Sequence, residues 1–293
     1  MKKFFFFAAT VFVAAVAVSS CEKKVDPPAS QTAVTTAKEN LVLHIGFEAA
    51  DELAAGVSVD NLYGGGVKGT GFYGDCYVNT TADNETSAYE KFNLAAGNPF
   101  TKLESMTFTC WVKLPAGKPA KGGLISFNGT GVEDVWPSFI YLFDNSWTDE
   151  ETGLEIQQFN GRIDFLTVEG KPAMWPNSQD NQYAKKDTWF QIARTYDANT
   201  GHWANYANGI IVNEGDFLID EKPVGGIKAA FASDCNAFYV GGWASRIEGK
   251  TSEAWQNYFP GSIDEIRVFN KALSEAEILS LYKEELALSL DQK

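Results

Sequence analysis

The sequence of 293 residues contains few cysteines and histidines, and this scarcity argues against several kinds of site. Only four cysteines and two histidines are present, and none of them form a CxxC pair or a Cys/His cluster with zinc-site spacing. Beyond Cys21 an odd number of cysteines remains, so they cannot all pair with one another. We expect Cys110 to be a buried thiol because it lies in an apolar run, while a bridge between Cys76 and Cys235 is left open.

Basic residues are also scarce, since 24 lysines and arginines stand against 38 aspartates and glutamates, a net charge of −14. Nucleic-acid binding rests on a basic face, so this composition argues against nucleic acid as a partner. The sequence lacks a Gly-x-Ser-x-Gly elbow, and no strand-like run carries the paired carboxylates of a glycoside hydrolase. We therefore predict a protein that is not an enzyme. The aromatic share of 14 % is available for a core and for ligand contacts.

The only long apolar run lies at the N-terminus, where residues 4–18 carry no charge and follow two lysines. This pattern is typical of a signal peptide, and the run is shorter than the about 20 residues of a membrane-spanning helix. The sequence Val-Ser-Ser-Cys at residues 18–21 resembles the lipobox of bacterial lipoproteins. The resemblance implies removal of residues 1–20, acylation of Cys21, and a lipid anchor in the outer membrane of a Gram-negative bacterium. An ordinary secretory peptide is the alternative.

The rest of the chain divides into a tether and one β-rich domain. Residues 22–40 are rich in Pro, Ser, Thr and Ala, which predicts a flexible tether. From residue 41 short β-prone runs alternate with Gly, Asn and Asp turns, as in antiparallel β structure. The predicted strands are 41–47, 106–113, 123–127, 139–143, 162–168, 189–196, 202–207, 210–213, 238–242 and 262–269. Ser274 and Glu277 form a capping box, which predicts one C-terminal helix packed on the domain.

Three stretches give the domain a family likeness. They are Phe-Thr-Cys-Trp-Val-Lys at 108–113, Trp-Phe-Gln-Ile-Ala-Arg-Thr-Tyr-Asp at 189–197 with Tyr-Ala-Asn-Gly at 206–209, and Phe-Pro-Gly-Ser-Ile-Asp-Glu-Ile-Arg-Val-Phe-Asn at 259–270 with Ala-Leu-Ser at 272–274. Their order and spacing resemble the laminin-G-like, concanavalin A-like domains of bacterial surface proteins. The resemblance implies an all-β fold over residues 41–288. We expect a two-sheet antiparallel jelly-roll sandwich with one short C-terminal helix.

The same resemblance implies a structural calcium near Asp264. This residue is in register with apolar residues of a predicted strand, so its carboxylate needs a cation or several donors to offset desolvation. Three oxygen-bearing residues after the first strand would complete the ligand set: Glu48, Asp60 and Asn61. The alternative is that backbone amides, Arg267 or Lys271 satisfy Asp264.

Tryptophans in turn-like surroundings are the candidates for sugar binding, because sugar rings stack on flat aromatics while polar side chains take the hydroxyls. Residues 128–185 form a long insertion, and insertions of this kind are expected as loops that carry binding residues. The candidates are Trp136, Trp147, Trp175, Asp144 and Asn177, with Trp255 and Tyr258 as a secondary pair. The alternative is that the tryptophans anchor loops to the sandwich. Trp111 and Trp189 lie in predicted strands and are assigned to packing.

These observations predict a non-catalytic, cell-surface glycan-binding lipoprotein, an accessory of polysaccharide capture and uptake. It would bind an oligosaccharide or polysaccharide and present it to partner proteins of a glycan-uptake system. The second hypothesis is a protein-binding adhesin or assembly subunit. The third is a glycoside hydrolase or polysaccharide lyase whose carboxylates converge from separate strands. Fold alone does not choose among them.

Overall fold

The computed structural model describes most of the chain between Val34 and Leu290. The described residues are 34–48, 53–81, 85–115, 121–129, 139–148, 150, 155–163, 180–183, 187–216, 218–219, 222–223, 235–251 and 253–290. Side chains are described for these residues apart from 101, 139–148, 155–163, 180–183, 218–219 and 222–223. None of the helices within these ranges is long and apolar enough to cross a membrane.

Short β-strands make up most of the described chain. They are β1 (Leu41–Ile45), β2 (Val57–Gly64), β3 (Gly66–Thr70), β4 (Asp75–Asn79), β5 (Ala88–Leu94), β6 (Met106–Lys113), β7 (Gly122–Phe127), β8 (Phe139–Thr148), β9 (Glu155–Ile163), β10 (Asp180–Tyr183), β11 (Trp189–Tyr196), β12 (His202–Ala207), β13 (Ile210–Asp216), β14 (Leu218–Ile219), β15 (Lys222–Pro223), β16 (Ala237–Val240) and β17 (Ser262–Phe269). The helices are α1 (Ala244–Ile247) and α2 (Glu275–Leu290), with 3-10 turns at Lys38–Asn40 and Pro99–Lys102.

Two antiparallel sheets form a sandwich. The eight-stranded sheet has the order β13-β12-β11-β6-β17-β4-β3, and β1 also pairs with β17. The seven-stranded sheet has the order β10-β9-β8-β7-β16-β5-β2, while β14 and β15 form a separate pair. This architecture confirms the predicted all-β jelly roll, including its C-terminal helix.

The core lies between the two sheets and follows from strand alternation. In β6, Phe108, Cys110 and Val112 face inward, as the sequence predicts, and all three are buried. The facing sheet contributes Phe92 and Phe238, whose rings stack 4.6 Å apart. Cys110 is therefore the buried thiol that the sequence predicts.

The three cysteines within the described chain are all buried thiols outside any disulfide, so the bridge between Cys76 and Cys235 that the sequence leaves open does not form. Cys76 lies on β4 in the eight-stranded sheet, and Cys235 precedes β16 in the other sheet. Burial, followed by the charge of nearby Asp264, raises the pKa of the Cys76 thiol to about 12.

The insertion at residues 128–185 forms strands over much of its length and not only loops. β8, β9 and β10 pair with one another and widen the seven-stranded sheet. A bulge between Phe143 and Asn145 lets β8 continue through a polar stretch that the sequence assigns to a loop. The predicted strand 162–168 overlaps β9 at its first two residues, and residues 164–168 lie outside the described ranges.

Residues 35–37, which the sequence places in the tether, contact the domain in the structure. The Glu284 carboxylate of α2 accepts hydrogen bonds from Thr35 N at 2.7 Å and Thr36 N at 3.0 Å, and from both threonine hydroxyls. Ala37 is buried against the helix and the sheet. Small and hydroxyl-bearing residues predict disorder by composition, but here they serve as hydrogen-bond donors to one carboxylate. We call residues 34–37 the N-terminal latch.

The C-terminal helix starts as its capping box predicts. Glu277 accepts a hydrogen bond from Ser274 N at 2.8 Å, and Ser274 Oγ accepts one from Glu277 N at 3.4 Å. Ile278 and Leu281 then pack against the outer face of the eight-stranded sheet. The helix therefore closes that face of the sandwich.

A buried carboxylate also holds α2 to the sheet. Glu285 is 2 % exposed and accepts hydrogen bonds from Trp111 Nε1 and Gln191 Nε2, both at 2.6 Å. It also pairs with Arg267, which binds Glu265 at 2.6 Å. Burial raises the pKa of Glu285 although the Arg267 guanidinium opposes the shift. Each charge in this group has an opposite charge or a donor beside it, as burial requires.

Candidate functional site

The outer face of the seven-stranded sheet carries a group of aromatic side chains. In β5, Phe92 points into the core, so strand alternation places Tyr89 and Lys91 on the opposite face. β2 pairs with β5 such that Tyr63 lies opposite Tyr89. On the other side of β5, Tyr239 of β16 lies opposite Lys91. Three neighbouring strands therefore bring tyrosines to one surface.

Tyr63, Tyr89 and Tyr258 have nearly parallel rings, and we call this group the tyrosine row. The Tyr63 and Tyr89 ring centroids are 4.9 Å apart with an interplanar angle of 19°, and those of Tyr89 and Tyr258 are 6.3 Å apart at 15°. Tyr239 meets Tyr89 edge-on at 5.8 Å. Tyr258 and Tyr239 are buried, whereas Tyr63 and Tyr89 are partly exposed. The row thus combines a packed support with rings that solvent reaches.

The loop before β17 supplies the last aromatic residues. Tyr258 packs over Gly242. A Cβ added at Gly242 would lie 2.9 Å from the Tyr258 ring, so this packing requires glycine at position 242. Trp255 lies edge-on against Trp243 with centroids 5.2 Å apart, and its indole Nε1 donates to Glu253 at 2.9 Å. With 37 % of its surface exposed, Trp255 is held in one orientation and still accessible.

Polar and charged side chains border the row. Lys91 pairs with Asp60 of β2 at 3.0 Å, and Lys250 pairs with Glu248 at 3.3 Å. Glu248 also accepts a hydrogen bond from Asn128 Nδ2 at 2.6 Å. The Arg246 guanidinium lies 5.3 Å from the Tyr258 ring centroid. A polar ligand at this face would therefore meet donors and acceptors on both sides of the rings.

The hydroxyls of Tyr89 and Tyr239 remain protonated at neutral pH. Burial and then the neighbouring Tyr258 and Tyr63 raise the pKa of Tyr89. Burial and a hydrogen bond to Glu248 raise the pKa of Tyr239, whose hydroxyl donates at 2.8 Å. A protonated phenol both donates and accepts hydrogen bonds, so the partly exposed Tyr89 suits a hydroxyl-rich partner.

The sugar-binding candidates of the sequence are distributed unevenly over the structure. Trp255 and Tyr258, the secondary pair of the sequence, lie in the same loop before β17, where Tyr258 belongs to the tyrosine row and Trp255 packs on Trp243. Asp144 and Trp147 lie within β8, not on a loop, and their side chains are outside the description. Three further candidates lie outside the described residues: Trp136, Trp175 and Asn177.

The sequence does not reveal Tyr63, Tyr89 and Tyr239. Residues 88–92 alternate between buried and partly exposed positions, but Glu90 takes one of the buried positions and breaks the apolar period. Lys68 lies 3.7 Å from Glu90, so a salt bridge replaces the expected apolar contact. The sequence signal for this surface is the presence of Tyr89 and Lys91 at the partly exposed positions of the segment.

Asp264, the predicted calcium ligand, lies where β17 changes partner. The first residues of β17 pair with β4 and the later ones with β1, and Glu265 between them has a φ of 50°. The Asp264 carboxylate accepts hydrogen bonds from Phe72 N at 2.8 Å, Tyr73 N at 3.0 Å and Glu265 N at 2.7 Å. Burial and the charge of Glu265 nevertheless raise its pKa well above the ordinary range. In the structure, backbone amides donate to the Asp264 carboxylate, which is one of the alternatives that the sequence leaves open for this residue.

The predicted calcium ligands do not come together as one set in the structure. Glu48 binds the same turn as Asp264, accepting from Asp75 N at 2.6 Å. Asp60 pairs with Lys91 on the other sheet, and Asn61 accepts from Leu62 N. Within the described ranges no group of three or more His, Cys, Asp or Glu side chains is placed to hold a metal ion. The calcium site stays a prediction from the sequence.

A cleft of about 550 Å³ lies on the opposite side of the molecule, near the start of α2. Several of its polar residues bind one another: His202 lies 3.0 Å from Asp216, and Asp197 accepts a hydrogen bond from Thr200 Oγ1 at 3.1 Å. Burial alone would raise the pKa of Asp197, but the hydrogen bonds that it accepts from Asn199 and Thr200 outweigh this effect and lower the pKa. These contacts account for the cleft as local structure, and the tyrosine row remains the better candidate.

A two-sheet sandwich with aromatic residues on one outer face is the architecture of a lectin-like domain. Residues 84–279 match the family model described as the concanavalin A-like lectin/glucanases superfamily. The chain therefore belongs to this superfamily. No curated protein sequence matches the chain.

Solved structures show similarity at low sequence identity. The binding domain of Paraclostridial Mosquitocidal Protein 1 is 15 % identical with a TM-score of 0.48, over 84 % of this chain and 52 % of that one. Domain 4 of AbnA, a GH43 extracellular arabinanase from Geobacillus stearothermophilus, in complex with arabinotriose, is 16 % identical with a TM-score of 0.45, over 83 % of this chain and 98 % of that one. This chain thus spans about half the length of the toxin domain.

Proposed function

We propose that this protein is a non-catalytic, cell-surface glycan-binding lipoprotein that serves as an accessory of polysaccharide capture and uptake. The observation that carries the proposal is the tyrosine row on the outer face of the seven-stranded sheet. Acylation at Cys21 would hold the domain at the outer membrane of a Gram-negative bacterium. The domain would there capture an oligosaccharide or polysaccharide and present it to partner proteins of an uptake system.

The geometry of the row supports a sugar as the ligand. Pyranose rings have apolar C–H faces, which pack on aromatic surfaces. Tyr63 and Tyr89 are stacked on each other with centroids 4.9 Å apart, so a sugar would contact the solvent-exposed parts of this pair and not the two ring faces that meet. The adjacent Lys91 can donate a further hydrogen bond to a sugar hydroxyl, because its ammonium carries three N–H donors and Asp60 is the partner of one. An aromatic support with a few fixed polar groups is the usual composition of a ligand site.

The carboxylates at this face have hydrogen-bond or ion-pair partners within the protein, which supports binding without catalysis. A glycoside hydrolase places two carboxyl groups on opposite sides of the scissile bond, one of them as a proton donor. Here each of the three nearby carboxylates already binds a donor: Asp60 binds Lys91, Glu248 binds Asn128, and Glu253 binds Trp255. These contacts commit the carboxylates to local structure.

A glycan array followed by calorimetry on the purified protein tests the proposal. Tyr89→Ala removes the central ring, and we expect it to weaken glycan binding about tenfold or more, equivalent to about 1.4 kcal/mol. Tyr282→Ala is the matched control, because Tyr282 is a partly exposed tyrosine that stacks on Trp111 at the other sheet. It should leave the affinity unchanged.

Three outcomes would count against the proposal in different ways. Absence of binding across the whole array would remove glycan capture and favour a protein ligand. Equal affinity in Tyr89→Ala and the wild type would place the sugar somewhere other than the tyrosine row. Release of shortened products from a bound glycan would show catalysis.

A further inference from the structure

Arg246 stands at one end of the tyrosine row in a fixed position. Its guanidinium lies 5.3 Å from the ring centroid of Tyr258, and its Nη1 donates to Gln256 O at 2.7 Å. A longer contact of 3.4 Å joins Nη2 to Glu85 O. These contacts leave further N–H groups of the guanidinium unused, since arginine carries five. The residue is partly exposed, so these groups are accessible to a ligand.

The charge of Arg246 distinguishes it from the lysines beside the row. Lys91 and Lys250 each have a carboxylate within 3.3 Å, so their charges are locally balanced. The described contacts of Arg246 are two backbone carbonyls and an aromatic ring, and in the described part of the chain no carboxylate forms an ion pair with it.

We propose that the tyrosine row binds an acidic glycan and that Arg246 binds its carboxylate or sulfate group. This inference rests on the proposed glycan-binding function. The planar guanidinium matches a carboxylate or sulfate ester with two parallel N–H···O bonds, which are stronger than bonds to a neutral hydroxyl. Stacking on Tyr258 holds the guanidinium in place, so little side-chain freedom is lost on binding.

The position of Arg246 also sets the orientation of the ligand. The far end of the row is Tyr63 on β2, the strand that carries Asp60. At that end the Asp60 and Lys91 charges already balance each other, whereas at the other end an acidic group meets Arg246. The acidic group is therefore placed beside Arg246, and a neutral part of the chain lies toward the partly exposed Tyr63.

Matched pairs of glycans test the inference by calorimetry. Oligogalacturonate is compared with its methyl ester for the carboxylate, and chondroitin sulfate with its desulfated form for the sulfate. We expect at least one acidic form to bind tenfold or more tightly than its neutral counterpart at low salt. Arg246→Gln should remove this preference and reduce the salt dependence of binding, because the ionic contact is lost. Lys250→Gln, which changes a cation that already has a carboxylate partner, should retain the preference.

Each result separates this inference from the proposed function. Equal affinity for acidic and neutral forms, or a preference that survives Arg246→Gln, overturns the assignment of an acidic ligand and leaves glycan binding in place. A glycan array without any binding removes both. Unchanged circular dichroism of Arg246→Gln verifies that the variant is folded, and Arg246→Lys, which keeps the charge, should retain part of the preference.

Discussion

Replacing Glu285 with alanine tests whether one buried carboxylate holds the C-terminal helix to the sheet. The side chain is 2 % exposed and binds Trp111, Gln191 and Arg267. The substitution removes all three contacts and leaves the Arg267 charge buried with Glu265 as its remaining carboxylate. The variant therefore loses a negative charge and an acceptor at a place that water does not reach.

The expected loss of stability is about 3–5 kcal/mol, the usual effect of removing one partner of a buried ion pair. The unpaired donors of Trp111 and Gln191 would each add about 1–3 kcal/mol if nothing replaced Glu285, but Arg267 retains Glu265 and limits the total. For a domain of this size, 3–5 kcal/mol corresponds to a decrease in Tm of roughly 6–20 °C. Glu285→Gln keeps the side-chain shape and should lose less.

Urea denaturation followed by tryptophan fluorescence and far-UV circular dichroism measures this effect. Lys283→Ala changes an exposed residue of the same helix and should shift the unfolding free energy by no more than about 0.5 kcal/mol. Hydrogen exchange adds a local readout, because α2 amides should lose protection first in Glu285→Ala. A loss below about 1 kcal/mol would refute the argument that the buried contact network stabilises the helix.

Three further predictions concern titration, thiols and calcium. Burial alone would raise the pKa of Glu265, but Arg267 and His44 lower it from 4.5 to about 2, so its stabilising effect is complete above pH 4.5 and is lost as the pH falls toward 2. The urea midpoint of Glu265→Gln should therefore decline less steeply over this interval than that of the wild type, and parallel profiles would contradict the shift. Slow thiol labelling is expected in the native protein and fast labelling after unfolding, because three free cysteines are buried: Cys76, Cys110 and Cys235. Fast labelling of the native protein would argue against this. A calcium-dependent increase in Tm that Glu48→Gln abolishes would confirm the calcium site predicted from the sequence, whereas a Tm that neither calcium nor a chelator changes would show that the backbone amides alone satisfy Asp264.

The sequence predicts the middle of the sheets well because apolar alternation is strongest there. The strands β6, β11, β12 and β17 have the predicted bounds, and both sides of these strands are covered by core or helix. The capping box gives the start of α2 for a local reason, since Ser274 and Glu277 need only each other. Features that depend on residues close in sequence are thus the most predictable.

The strands from β2 to β5 escape prediction because they lie toward the edge of the sandwich. Only some of their positions are buried, glycines separate β2 from β3, and Glu90 takes a core position. The tyrosine row is missed for a related reason, because Tyr63, Tyr89 and Tyr258 come from distant parts of the chain and meet only through the pairing of β2 with β5 and the packing of the loop before β17. The tryptophan-based search finds the loop of Trp255 and Tyr258 but not the centre of the row.

The N-terminal latch determines how the domain would respond to a pulling force. If the proposed lipid anchor fixes the chain at Cys21, tension from a bound polysaccharide enters the domain at Thr35 and Thr36, whose bonds to Glu284 lie in series with β1. These few exposed bonds would break before the antiparallel pairing of β1 with β17 carries the load. Breaking these bonds would lengthen the connection to the membrane by a few residues while the sandwich stays folded. Because the bonds can form again, the N-terminal latch would yield reversibly before the sandwich unfolds.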